Sequence, residues 1–217
     1  MMRKYEKIDT LFARDMEGTK KLRPGIFRDP TVEALTFIDW EWTEKIDGTN
    51  IRVMWDGHSV TFGGRTDNAS IPADLVTKLN ELFGGETNAQ IFEQAFGDKE
   101  VILFGEGYGR KIQKVGSAYI ADGVDFILFD VLIGDNYQPR EWVEKTAEMF
   151  GIKVVPIVGH GSLWDATAYV HRHPMSVVAD GRCEMEGIVC RPSVELRDRC
   201  GRRLIVKIKW CDMKELV

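Results

Sequence analysis

The sequence predicts an α+β domain of mainly antiparallel sheets with flanking helices. Two observations carry this expectation: strand-like segments outnumber helical ones, and they arrive in consecutive groups rather than alternating with helices. With 217 residues, 44% of them hydrophobic, the chain has material for one sizeable core, so a single domain over residues 1–217 is expected.

The elements follow in order. Residues 35–65 are rich in β-branched and aromatic side chains, with Asp56-Gly57 placed as a hairpin turn. Pro72 opens a helical pattern in which Leu75, Val76, Leu79, Leu82 and Phe83 share a face, and Gly84-Gly85 stops it. A second helix is expected over residues 88–96, then strands over 100–106 and 125–133. Pro139 starts a helix carrying Trp142, Val143, Thr146 and Phe150, which Gly151 ends. A strand follows over 152–158. Ser162 is placed to cap a helix reaching about His171, and strands over 186–191 and 203–209 finish the chain.

Charge and cysteine usage exclude several classes. No apolar run is long enough to span a membrane and no secretory signal opens the chain, so a cytoplasmic protein without a membrane partner is expected. Cys183, Cys190, Cys200 and Cys211 form no C-x-x-C pair and read as free thiols. His171-Arg172-His173 reads as a helix end without a metal role. A net charge of −5 argues against nucleic acid in bulk, yet residues 191–209 hold seven basic residues against Glu195 and Asp198. That surplus is either a solvated turn or a polynucleotide track, in which Arg197, Arg199, Arg202 and Arg203 would touch the phosphates.

One segment carries chemistry. In Glu44-Lys45-Ile46-Asp47-Gly48-Thr49-Asn50 a lysine ends a strand, and Asp-Gly lets the backbone turn and approach a ligand. Alone, such a lysine is as readily a surface residue. Downstream, however, Arg65-Thr66, Phe104-Gly105-Glu106, the stretch from Phe126 to Asp130, Glu186-Gly187-Ile188-Val189 and the stretch from Val206 to Lys209 follow in order. Residues 203–209 alternate as a strand, which puts Lys207 and Lys209 on one face. Phe126 and Phe129 fall on opposite faces of theirs, so only one of them lines a pocket.

Together these segments resemble the motifs of the covalent nucleotidyltransferases, the superfamily of ATP-dependent RNA and DNA ligases and capping enzymes. The glutamate before the lysine, Thr49-Asn50, Arg65-Thr66, and the Gly-Arg-Lys-Ile-Gln-Lys run of residues 109–114 are most similar to nick-sealing RNA ligases of large bacteriophages. The resemblance implies a nucleotidyltransferase fold with a nucleotide pocket between sheets. It implies that Lys45 forms a lysyl-AMP phosphoramidate, and that Lys207 and Lys209 act at the α-phosphate. Glu186 would work with a metal, and Asn50 with a metal-bound water. Glu44, Arg65, Glu106, Phe129 and Val189 complete the nucleotide set: Arg65 at phosphate and sugar, Glu106 at the ribose, Phe129 and Val189 on the two faces of adenine. Asp47 stands where some close relatives have histidine, which blurs the choice between RNA and DNA.

The implied cofactors are ATP with Mg²⁺ or Mn²⁺. The implied substrate is RNA with 5′-phosphate and 3′-hydroxyl ends, expected as a nicked duplex, joined by a monomer. Only Trp210 to Val217 follow the paired lysines, so neither a C-terminal OB-fold nor a helical domain is expected. Two alternatives stand beside RNA joining: a minimal DNA ligase core, and a nucleotide- or nucleic-acid-binding module without sealing activity. The chemistry itself is demanding, since about one lysine in 2,500 is neutral at pH 7, a deficit of roughly 4.6 kcal/mol. Paired ammoniums beside Lys45 would disfavour its protonation and stabilise charge on the reacting phosphorus.

Overall fold

The computed structural model describes residues 3–213. They divide into two compact units, each assembled from separated stretches of chain.

The larger unit comprises the residues up to Glu6, Asp47–Val155 and Ala179–Gly181. Its sheet runs in the order Lys153–Val154, Val124–Ile133, Val101–Gly109, Thr49–Trp55 and Val60–Gly64, with Asn136–Tyr137 folding back on Val124–Ile133. All pairings are antiparallel except that of Lys153–Val154. Alternation in Thr49–Trp55 sorts the faces: Ile51, Val53 and Trp55 point to one side, and Asn50, Arg52 and Met54 to the other. The first side is covered by helices Ala73–Phe83, Gly85–Phe96 and Arg140–Phe150, and its core includes Leu75, Leu79, Phe83, Phe92, Leu103, Phe126 and Leu128. Asp56 closes the expected hairpin by accepting the backbone N–H groups of His58 and Ser59.

The smaller unit comprises Lys7–Ile46, Pro156–Val178 and, among the described residues, Arg182–Met213. Its sheet order is Asp9–Thr10, Val206–Lys209, Gly187–Pro192, Trp40–Glu44 and Ile157–Gly161, antiparallel except at Asp9–Thr10. Trp40, Trp42, Ile188, Cys190, Val206 and Ile208 bury one face beneath helix Leu163–His171, which contributes Leu163, Ala166 and Val170. Ser162 caps that helix reciprocally with Asp165, as its position predicts. A ribbon of Phe12–Arg14 and Leu22–Phe27 and a short helix Pro30–Ala34, capped by Asp29, complete this unit.

The α+β expectation holds, with local differences; the strand expected over 100–106, for example, extends to Gly109. The second helix begins at Gly85, three residues early, where Asn88 bonds the carbonyl of Gly84. The strand expected over 152–158 is two strands: Pro156, which lacks an N–H, separates Lys153–Val154 of the larger unit from Ile157–Gly161 of the smaller. The last strand is shorter than expected, Val206–Lys209. The four cysteines are free thiols, Cys183 and Cys190 buried, Cys200 and Cys211 exposed. No helix among the described residues is long and apolar enough to cross a membrane.

Candidate active site

In the smaller unit, the sheet face opposite helix Leu163–His171 carries Glu41, Thr43 and Lys45 in sequence, because Trp40, Trp42 and Glu44 point the other way. Register then assembles the predicted set. Val189 pairs with Thr43 on one side and Lys207 on the other, and Gly187 pairs with Lys209 while its carbonyl accepts the N–H of Lys45 at 2.9 Å. Directly opposite residues share a face, so Lys45, Lys207, Lys209 and Val189 lie together. The strand Val206–Lys209 is buried at Val206 and Ile208 and half-exposed at Lys207 and Lys209, as its alternation predicts.

Glu186 organises the charges. Its Oε2 accepts from Lys45 Nζ and its Oε1 from Lys209 Nζ, each at 2.5 Å. Burial opposes the charge on Lys209, but the hydrogen bond and charge of Glu186 outweigh it and raise its pKa. Gly187 makes room for this cluster. A Cβ there would stand 2.1 Å from the carbonyl oxygen of Ile208 and 2.8 Å from Lys209 Cα, and its φ of +155 is one that side chains avoid.

Glu44 faces away from this cluster. Its carboxylate is 1% exposed and accepts from Ser176 Oγ at 2.5 Å and from the N–H of Val177 at 2.9 Å. Burial raises its pKa, against the lowering effect of those hydrogen bonds. The sequence does not predict Ser176, and no local signal singles it out.

In the larger unit, a second group of predicted residues shares the sheet face opposite the three long helices. Asn50 pairs with Glu106 across neighbouring strands, and Glu106 with Ile127. The Oδ1 of Asn50 is buried with no hydrogen-bond partner among the described residues, an oxygen placed to accept from a ligand or water. Gly48 packs on this row so tightly that a Cβ would lie 2.3 Å from the carbonyl oxygen of Gly107 and 2.8 Å from Glu106 Cγ. Gln113 Nε2 donates to the Gly48 carbonyl at 2.9 Å and fixes the turn.

Phe126 and Phe129 separate as predicted. Phe126 is fully buried in the helix-covered core, its ring edge-on to Phe83 at 5.4 Å. Phe129 occupies a bulge, because Phe104 pairs with Asp130 and Gly105 with Leu128. It is half-buried on the opposite face, 5.0 Å from the ring of Tyr5, and packs with Ile102, Phe104 and Met54. Arg65 is exposed just after the strand Val60–Gly64.

The basic segment is only partly available. Arg203 departs from the expected track: it is 9% exposed and its guanidinium forks onto Glu195, with Nε–Oε1 at 2.8 Å and Nη2–Oε2 at 3.0 Å. Across the same turn Arg202 pairs with Asp198 at 2.7 Å, and Arg197 bonds the Gly201 carbonyl and lies 3.4 Å from Glu195. Arg197, Arg199 and Arg202 remain exposed. Glu195 and Asp198, the two acidic residues of the segment, therefore serve to shape the turn.

No cluster of three or more His, Cys, Asp or Glu side chains suited to a metal exists among the described residues. The motifs provide one oxygen donor in each unit, Glu186 in the smaller and Asn50 in the larger. A hard cation held by one or two side-chain oxygens completes its shell with water and phosphate, as Mg²⁺ does.

A family model described as RNA ligase matches residues 38–209. The chain belongs to the RNA ligase family. The matched span opens just before Trp40–Glu44 and closes on Lys209, so it contains every predicted nucleotide residue. No curated protein sequence matches the chain. Among solved structures, an RNA ligase of Naegleria gruberi in an apo form aligns with a TM-score of 0.62 at 19% identity, covering 94% of this chain and 60% of that one. The same enzyme with ATP and Mn aligns with a TM-score of 0.62 at 20% identity, covering 83% and 52%. With PPi it aligns with a TM-score of 0.61 at 21% identity, covering 97% and 63%. This RNA ligase family member thus shares their fold and spans about 52–63% of their length.

Proposed function

We propose that the chain is an ATP-dependent RNA ligase that joins ends through a lysyl-AMP intermediate on Lys45. The observation that carries the reading is the cluster of Lys45, Glu186 and Lys209 around a glycine that no side chain can replace, with Lys207 one row away on the same face. Paired ammoniums on one sheet face suit a phosphate, not the stability of the sheet.

In this reading the amine of Lys45 attacks the α-phosphorus of ATP. A P–N bond forms, the bond to pyrophosphate breaks and the amine loses a proton. Lys207 and Lys209 stabilise charge on the phosphorus, and Glu186 orients both amines. A 5′-phosphate oxygen then takes the adenylyl group from Lys45, and a 3′-hydroxyl displaces AMP to close the strand. Mg²⁺ or Mn²⁺ would neutralise the triphosphate; the oxygen donors proposed for it, directly or through water, are Glu186 in the smaller unit and the unpartnered Oδ1 of Asn50 in the larger. Glu106 would bond the ribose, Arg65 the phosphate and sugar, and Phe129 and Val189 would cover the adenine. Glu44 acts in this reading by bracing the strand that ends at Lys45, since its carboxylate is engaged by Ser176 and Val177 and its N–H by the Pro156 carbonyl.

The proposed substrate is a nicked RNA duplex, the activity of the phage nick-sealing branch, carried out by a monomer acting as one adenylylating domain. Family membership supports RNA joining, and the resemblance of residues 44–50, 65–66 and 109–114 supports this branch. Sealing of a nicked duplex with an RNA 3′-hydroxyl strand, but not with an all-DNA one, is the expected result. Equal sealing of both would move the chain to the DNA ligase reading.

A further inference from the structure

Arg52 has no place in the motif set, yet its position is costly. It sits mid-strand in the larger unit, opposite Phe104 and Gly63, with its side chain only 2% exposed. A buried guanidinium is expensive unless its donors are used, and an apolar residue there would serve the sheet better. Two of its hydrogen bonds reach the turn that carries Arg65. Arg52 Nε donates to the Gly64 carbonyl at 2.9 Å, one residue before Arg65, and Nη2 donates to Asp67 Oδ1 at 2.9 Å, two residues after it.

The rest of the turn fits around this clamp. A Cβ on Gly63 would approach Arg52 Nη2 to 3.0 Å, so the glycine lets the guanidinium lie against the backbone. Lys4 Nζ holds the other Asp67 oxygen at 3.1 Å. The hydrogen bonds from Arg52 and Lys4 keep the Asp67 carboxyl below the ordinary range. The N–H of Ala69 closes the turn onto the Thr66 carbonyl at 3.0 Å. Arg65 and Thr66 are left exposed between two fixed points.

We propose that Arg52 and Asp67 are positioning residues for the nucleotide: they preset the Arg65 turn so that its guanidinium meets ATP without an ordering cost. This rests on the reading of Arg65 as a nucleotide-binding residue. Arg52 is suited to the task where lysine is not, because a planar fork bridges a carbonyl and a carboxylate at once and a single ammonium does not.

The test is a double-mutant cycle read as AMP loading on the full chain against ATP concentration. Asp67 is half-exposed, but Asp67→Ala leaves the buried Arg52 guanidinium without its carboxylate, so melting temperature is measured beside loading and the assay is run below the melting range of the variant. Asp67→Ala should raise half-saturating ATP roughly 10- to 100-fold while loading at saturating ATP is kept, the scale on which misplacement of a binding group acts. In an Arg65→Ala background the same substitution should add nothing, and Arg52→Lys should behave like Asp67→Ala. Loss of the Arg52 partner lowers melting temperature in either case; a merely structural role would leave the ATP dependence unchanged or give fully additive shifts in the Arg65→Ala background. Wild-type ATP dependence in Asp67→Ala, or a full additive shift on top of Arg65→Ala, overturns the proposal. Arg65→Ala with unchanged ATP dependence removes the Arg65 reading, and the proposal with it. Absence of loading even in the wild type removes the ligase reading itself.

Discussion

Gly187 and Lys209 pair across adjacent antiparallel strands at a separation that leaves no room for a Cβ on the glycine, which would sit 2.8 Å from Lys209 Cα and 2.1 Å from the Ile208 carbonyl oxygen. The obstruction is backbone, so no rotamer change relieves it. Gly187→Ala should therefore push Val206–Lys209 away and separate Lys209 from Glu186. AMP loading at saturating ATP should fall on the order of 10²-fold or more, as when a preorganised cation is removed from a reacting phosphate. A Gly187→Ala variant loading at the wild-type rate would show that this spacing is not needed.

Phe126 and Phe129 should give opposite phenotypes. Phe129→Ala should raise the ATP requirement by about 1–3 kcal/mol, the worth of one aromatic ring stacked on a base, with a smaller loss of melting temperature than Phe126→Ala. Phe126→Ala opens the helix-covered core and should cost about 3–5 kcal/mol of stability. Thermal melts and ATP titrations of both variants separate the roles, and a reversed pattern would show that the sheet faces are misassigned.

The basic turn divides into structural and available arginines. Arg203→Ala leaves Glu195 without its fork and should lower stability by about 1–3 kcal/mol without changing the salt dependence of RNA binding. Neutralising Arg197, Arg199 and Arg202 together should leave AMP loading unchanged and flatten the slope of log K against log salt by about 0.7–0.9 for each phosphate that the variant no longer neutralises. Equal slopes for wild type and triple variant would place the polynucleotide elsewhere.

Burial raises the pKa of Glu44 above its ordinary 4.5, so the native chain holds this proton to a higher pH than the unfolded chain. The associated stability is fully present below the unfolded value and is lost as pH rises through the higher folded one. Glu44→Gln cannot ionise. The difference in melting temperature, wild type minus Glu44→Gln, should therefore decrease as pH is raised from about 4 to about 7. A difference that stays flat or increases would mean that the Ser176 and Val177 bonds outweigh burial.

What is legible in the sequence follows the range of the interactions. Lys207 and Lys209 share a face through the two-residue period of a strand, and Phe126 and Phe129 separate through the same period; both are local facts. The Ser162 cap and the Asp56 turn are set by neighbours within three residues. The rest depends on distant partners. Asp9–Thr10 is a two-residue strand that exists only because Val206 and Lys207 lie beside it, far along the chain. Arg203 turns inward because Glu195 stands across a turn, which a count of charges does not reveal. Arg52 reads as an ordinary outward residue of an alternating strand; only the return of Gly64 and Asp67 onto it discloses its work.

The central claim is that Lys45 is the covalent nucleophile. Incubation of the full chain with ATP and Mg²⁺, followed by denaturation and intact mass measurement, reads it directly. One AMP should be added per chain, and Lys45→Ala and Lys45→Arg should both show none, because a guanidinium with a pKa above 12 supplies no neutral amine. No adduct in the wild type, or an adduct retained in Lys45→Arg, would contradict the account.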